Sequence, residues 1–257
     1  LRRIDRSASR FGKVFARTST WYRAIQSGHW IRARKRIYPP KPRVGLQATK
    51  TNEYWHIDTT IVRLLDGSRV YLHAILDNVS RRILAWRLND TFETSTTAEL
   101  LKEAAKGLPE DTVTSAVMDS GVENVNGTVN ELVSDGTIQR ILAQVDIVES
   151  NSMIEAWWRQ LKHQWLYLNE LDSASSVRKF VAFYVEQHNS VVPHFAFQGQ
   201  TPNEMVFGTG ANVPVELQEN RATARALRLA HNRALSCDRC KARENEPALV
   251  ALQNNTS

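Results

Sequence analysis

The chain has 257 residues, 33 Lys and Arg against 27 Asp and Glu, and 42% hydrophobic content, enough for one full core with a small appendage, which excludes disorder as the main state. No apolar run approaches the roughly 18 residues of a membrane span, the charged N-terminus lacks a signal peptide's apolar segment, and Cys237 and Cys240 are too few for a stapled secreted fold, so a soluble intracellular protein is expected. Residues 1–50 hold 14 Lys and Arg and one acid, residues 51–210 hold 12 and 21, and residues 211–257 hold 7 and 5; a basic arm on an acidic body points to a polyanion partner, nucleic acid first, ahead of a merely solvated tail.

In chain order, Ser19 and Thr20 offer an N-cap for a short helix through Gln26, which Gly28 closes. Hydroxyl, aromatic and Arg side chains at its start suit the last helix of a partial helix-turn-helix. Arg32, Arg34, Lys35, Arg36, Lys41 and Arg43 then alternate with three prolines in an extended, phosphate-seeking strap. The body opens with strands. Residues 54–64 are rich in aromatic and β-branched types, Asp66-Gly67 is a hairpin turn, 70–76 forms a second strand and 82–88 a third. Asp90 to Glu93 has capping-box spacing ahead of a helix that runs to Ala105. A fourth strand spans 112–118, a helix 124–134, a fifth strand 138–142.

A helix over 152–168 places Ile154, Trp157, Leu161, Trp165 and Leu168 on one stripe, another spans 174–189, and Thr201-Pro202-Asn203-Glu204 starts a short one. Residues 215–234 read as a basic helix followed by a polar, disordered tail. The order βββαβαβα predicts an α/β fold with a mixed five-stranded sheet flanked by helices, because a strand reached through a helical crossover pairs parallel. The expected domains are a basic arm (1–50), a body (51–210) and a helical, partly disordered tail (211–257).

Phosphate loops, zinc helices and nucleophile elbows are absent. What stands out is a set of acids. Asp58 interrupts an apolar strand, Asp119 ends another, and Glu155 lies in the first turn of a helix. Each has a plain alternative: an outward strand position for Asp58, a turn for Asp119, a capping box with Ser152 for Glu155. Brought together, three carboxylates would repel unless neutralised, and hard divalent cations prefer oxygen ligands. Asp77 suits a turn or salt bridge better than a metal, Glu123 and Glu149 are weaker substitutes, and His56 and His163 read as packed or hydrogen-bonded. Cys237 and Cys240, with His231, fall one ligand short of a structural zinc site.

The spacing of the acids, with 35 residues between Asp119 and Glu155, decides between these readings. In Trp55-His56-Ile57-Asp58-Thr59, Asp119-Ser120-Gly121 and Asn151-Ser152-Met153-Ile154-Glu155, followed by Arg159 and Lys162, the sequence resembles the DDE integrase and transposase family, of the retroviral-integrase-like kind found in bacterial insertion sequences. His188-Asn189 through Thr201-Pro202-Asn203-Glu204 looks like the C-terminal signature of the same group. The resemblance covers about residues 50–210. It departs at Ser120, where relatives often carry Asn or Gly.

The resemblance implies an RNase H-like fold, Asp58, Asp119 and Glu155 as catalytic residues and ligands of two Mg²⁺ or Mn²⁺ ions, and cleavage of DNA ends followed by their transfer to target DNA. It further implies a homo-oligomer on DNA, a cytoplasmic or nucleoid-associated location, and no membrane partner. Arg159 and Lys162, at i+4 and i+7 from Glu155, face the DNA with Asn151 beside them. Two rivals remain open: an inactive DNA-binding remnant or regulator, and an RNase H-type nuclease without strand transfer.

Overall fold

A computed structural model describes residues 2–28, 30, 46–108, 112–147 and 151–244. The chain divides into two compact units, Leu1–Ile31 with Asn212–Ser257, and Arg32–Ala211. Residues from 212 onward fall in the same unit as the N-terminal helices. Among the described residues no helix is long and apolar enough to cross a membrane.

The larger unit is built on a five-stranded sheet in the order β3-β2-β1-β4-β5, formed by β1 (Tyr54–Arg63), β2 (Arg69–Asp77), β3 (Ile83–Asn89), β4 (Thr114–Met118) and β5 (Ile138–Leu142). The first three pair antiparallel as a meander; β4 pairs parallel with β1, and β5 parallel with β4. This is the mixed sheet expected from the strand order.

Helices cover both faces because β1 to β4 alternate or run apolar on both sides. On one face, Val62, Leu72, Ala74 and Leu88 pack against Ile154, Trp157, Trp158 and Leu161 of a helix over Ser152–Gln164, and against Val177, Val181 and Tyr184 of another over Ala174–Glu186. On the other face, Trp55, Ile57, Ile75 and Met118 meet Leu100 and Leu101 of a helix over Ser95–Ala105 and Val129 and Leu132 of one over Gly127–Ser134.

With α1 (Arg2–Arg10) and α2 (Thr18–Ser27) in the smaller unit, these become α5, α6, α3 and α4 respectively, followed by α7 (Pro202–Phe207) and α8 (Val213–Glu244).

Several boundaries differ from the sequence reading. The capping box at Asp90 does not form: Thr91 bonds Glu93 locally, and α3 starts at Ser95. α5 stops at Gln164 and residues 166–168 form a 3₁₀ turn, which swings Leu168 off the apolar stripe to 74% exposure. α6 ends in a π-helical turn over Gln187–Val191. There Asn189 accepts from the Ile83 N–H and donates to its C=O, at 2.9 Å each, satisfying backbone groups of the sheet's edge strand. Thr201 and Glu204 form the capping box of α7 as the sequence indicates.

Asp77 is a buried turn residue: Oδ1 accepts from the Asn52 N–H and Oδ2 from Ser80 N–H and Oγ–H.

Candidate active site

Alternation along β1 points His56, Asp58, Thr60 and Val62 to the face that α5 covers, and α5 answers at one-turn intervals. Asn151, at the helix start, binds His56 Nδ1 at 2.8 Å and donates to the Ile57 carbonyl at 2.7 Å. Trp158 Nε1 donates to Asp58 Oδ2 at 2.9 Å. Lys162 Nζ donates to Thr60 Oγ1 at 2.6 Å and to the Ile61 carbonyl at 2.9 Å. Glu155 sits on the same stripe between Asn151 and Trp158, in the first turn of α5.

The second acid arrives through the sheet. β1 and β4 pair parallel with His56 opposite Val117, the last pair of that ladder; Asp58 and Asp119 each follow two residues further along, and the Asp119 charge reaches Asp58. Asp119 immediately follows β4, and its carbonyl accepts from Asn124 Nδ2 at 3.0 Å, which fixes the turn. Within that turn the Glu123 carboxylate folds back over Gly121, into the space a Cβ would take.

Electrostatics couples the three acids. Burial pushes the Asp58 carboxyl up to about 6; hydrogen bonds from the Thr59 N–H and Trp158 oppose this, while the charges of Asp119 and Glu155 add to it. Half-burial lowers the Lys162 ammonium from its usual value, against the pull of Asp58. Asp119 and Glu155 are both exposed. Their side chains stand apart, and among the described residues no three His, Cys, Asp or Glu groups gather closely enough to hold a metal ion. Like charges keep apart in this way when solvent is open to two of them.

The donor chemistry nonetheless fits a hard divalent cation: three carboxylates, one of them half-buried, and the nearest ammonium already bonded to Thr60 and Ile61.

Behind the acids lies a closed polar network. His56 Nε2 meets Asn78 Nδ2 at 2.9 Å, and Asn78 also donates to the Leu46 carbonyl and accepts from the Ala48 N–H. With Asn78 donating to Nε2, the His56 proton belongs on Nδ1, facing Asn151 Oδ1. Burial holds His56 below its usual value, so the ring is neutral near pH 7. His56 is packed and hydrogen-bonded as expected; Asn78 and Trp158 are the residues the sequence reading passed over. Only the position of Trp158, three residues beyond Glu155 on the same helix face, hinted at its part.

Two expected surface contacts are placed differently. Asn151 is 1% exposed with its amide spent on His56 and Ile57, so it anchors α5 instead of projecting from a loop. Lys162 is tied to β1 in the same sense, whereas Arg159 is exposed. The capping-box alternative for Glu155 does not form, because Ser152 is already inside the helix and Asn151 occupies the cap. Arg32, Arg34, Lys35, Arg36, Lys41 and Arg43 lie outside the described residues, as do Glu149 and the side chains of Cys237 and Cys240.

The family model described as "Integrase core domain" matches residues 48–152. A curated protein of Escherichia coli (strain K12), "Putative transposase InsK for insertion sequence element IS150", is 23% identical over 158 residues, covering 62% of this chain and 56% of that protein. The chain thus spans little more than half of that relative's length. A chain of the cryo-EM structure of the simian T-cell lymphotropic virus intasome, in complex with a PP2A regulatory subunit, superposes with a TM-score of 0.52 at 15% identity, over 66% of this chain and 60% of that one. The HTLV-2 integrase catalytic core domain in complex with magnesium gives a TM-score of 0.48 at 16% identity, over 63% and 99% of the two chains. The sheet order and the first of these likenesses make the fold RNase H-like.

Proposed function

From the premise that the chain belongs to the DDE integrase and transposase family of the bacterial insertion-sequence type, we propose that it is a polynucleotidyl transferase that cuts DNA ends and joins them to target DNA. The observation that supports this reading is that β1 pairs with β4, α5 is tied to Asp58 through Trp158, and the charges of Asp119 and Glu155 act on Asp58. We assign these three carboxylates as ligands of two Mg²⁺ or Mn²⁺ ions. When bound, such ions supply a lowered pKa for an attacking water or 3′-hydroxyl and neutralise charge on the leaving oxygen.

The rest is done by the chain's own groups. Asp58, on a strand and held by Trp158, is the fixed ligand; Asp119 and Glu155, exposed, have the freedom to close on it. The neutral His56 and Asn151 hold the start of α5, and so the backbone of Glu155, against β1. Arg159, one turn beyond Glu155, meets the phosphates of the bound DNA. Function as a homo-oligomer on DNA, and the division into a basic arm at 1–50, a catalytic body at 51–210 and a tail at 211–257, belong to the same proposal, with DNA contacts from the basic residues between Arg32 and Arg43.

The test is Mg²⁺-dependent joining of a labelled duplex oligonucleotide to plasmid DNA, with Asp119→Asn alongside. Joining by the parent chain and its loss in the variant are expected. Joining that survives the substitution overturns the ligand assignment, and hydrolysis without joining makes the protein a nuclease on the same scaffold.

A further inference from the structure

The smaller unit contains a cationic pocket that the proposed reaction does not use. Arg221, Arg225 and Arg228 lie at i, i+4 and i+7 on α8, hence on one face. Two of them anchor that face. Arg221 lies 3.9 Å from Asp5 and 3.5 Å from Ser9 Oγ, and Arg228 donates to the Phe15 carbonyl at 2.7 Å. Arg225, between them, is exposed. It opens into a cavity of about 550 Å³ that is also lined by Arg17, Thr18 and Ser19.

The cavity wall is polarised as well as charged. α2 begins there at Arg17, a cap residue with no side-chain acceptor to offer, and no side-chain cap bond forms. The Arg17 carbonyl takes the N–H groups of Thr20 and Trp21, while those of Thr18 and Ser19 belong to the first turn, where no intrahelical partner exists. Four guanidinium groups therefore share the cavity with one carboxylate. That carboxylate, Asp5, already accepts the Thr18 hydroxyl at 3.0 Å and sits beside Arg221. Fork-shaped donors, free backbone N–H groups and the positive end of a helix together suit a phosphate group.

We propose that this pocket binds a phosphodiester of a DNA backbone, with Arg17 and Arg225 as its direct charge contacts and Arg221 and Arg228 as the residues that hold α8 in place. That the phosphate belongs to DNA rests on the function proposed above; the anion chemistry does not. None of the three α8 arginines stood out in the sequence, because they are separated by about 200 positions from the residues they join.

The test uses the full chain and a duplex oligonucleotide of arbitrary sequence, with affinity followed by fluorescence anisotropy across a salt series. Each phosphate contact contributes about 0.9 to the slope of log K against log salt. Arg225→Gln and Arg17→Gln should each flatten the slope by about that amount and weaken binding roughly eightfold near 0.1 M salt. Arg225→Lys should keep the slope, since a point charge suffices for counterion release. Unchanged slopes in the Gln variants, with circular dichroism like the parent's, overturn the proposal. So does a gain in melting temperature from inorganic phosphate at matched ionic strength that Arg225→Gln abolishes while its DNA binding stays at the parent level, since the ligand is then a free anion. The joining assay on the same proteins separates the two readings. Flattened slopes in the Gln variants support the pocket even if the parent joins no DNA.

Discussion

His73 shows how a single buried ring writes pH dependence into the fold. It faces Thr59 Oγ1 at 2.8 Å, and its Nε2 is buried without a partner. Burial first, and the Arg87 charge second, push the imidazole down to about 4. The unfolded chain takes up that proton near 6.5, so the stability tied to the neutral ring is complete above that pH and is lost as pH falls toward 4. Between pH 7.5 and pH 4 the parent should lose about 2–3 kcal/mol more than His73→Gln, read from urea unfolding at both pH values; equal losses would sink the assignment. At Asp58 the direction is opposite. Trp158→Phe keeps a ring in the core but removes the indole N–H that favours the charged carboxylate, so the Asp58 pKa, followed by carbon NMR in metal-free protein, should rise above about 6. Asp58 was legible in the sequence because an acid in an apolar strand is conspicuous. Trp158 was not, since it stands off the expected stripe through Ile154, Trp157 and Leu161, and only the tertiary contact shows that its polar edge is spent on a carboxylate.

Among the elements, the strands were read nearly to the residue, because period-two alternation and the Asp66-Gly67 turn are local signals. Helix starts were less faithful. Asn126 caps α4 by accepting from the Val129 N–H, and the expected box at Asp90 lost to a local bond between Thr91 and Glu93. α1 was missed altogether: Arg2–Arg10 has four arginines and only Ile4 and Ala8 as apolar residues, and it gains its helical partners from α2 and α8. The His188-Asn189 pair, noticed as part of a family signature, has a structural task of its own. Asn189 completes the backbone bonds of Ile83 on the edge strand. Asn189→Ala should cost about 1–3 kcal/mol in urea unfolding by leaving buried groups unpaired, and should speed hydrogen exchange at the Ile83 amide. Unchanged exchange there would show that the edge is held by other means.

At the scale of the whole molecule, the two units differ in how they draw on the chain. The larger is continuous and carries apolar clusters on both faces of its sheet, so a fragment of residues 46–211 should unfold in urea as one cooperative transition, with no separate early phase. A gradual, non-cooperative loss of signal would show that this stretch depends on the rest. The smaller unit is discontinuous, assembled from residues at both ends of the sequence. The ribosome must therefore deliver α1 and α2, then the entire sheet and its helices, before α8 emerges to meet them. At about 5–20 residues per second the interval is roughly 10–40 s. Nascent chains consequently acquire the carboxylate-bearing scaffold first and the arginine-lined cavity last, and premature termination between Ala211 and Arg221 yields a folded scaffold without its companion.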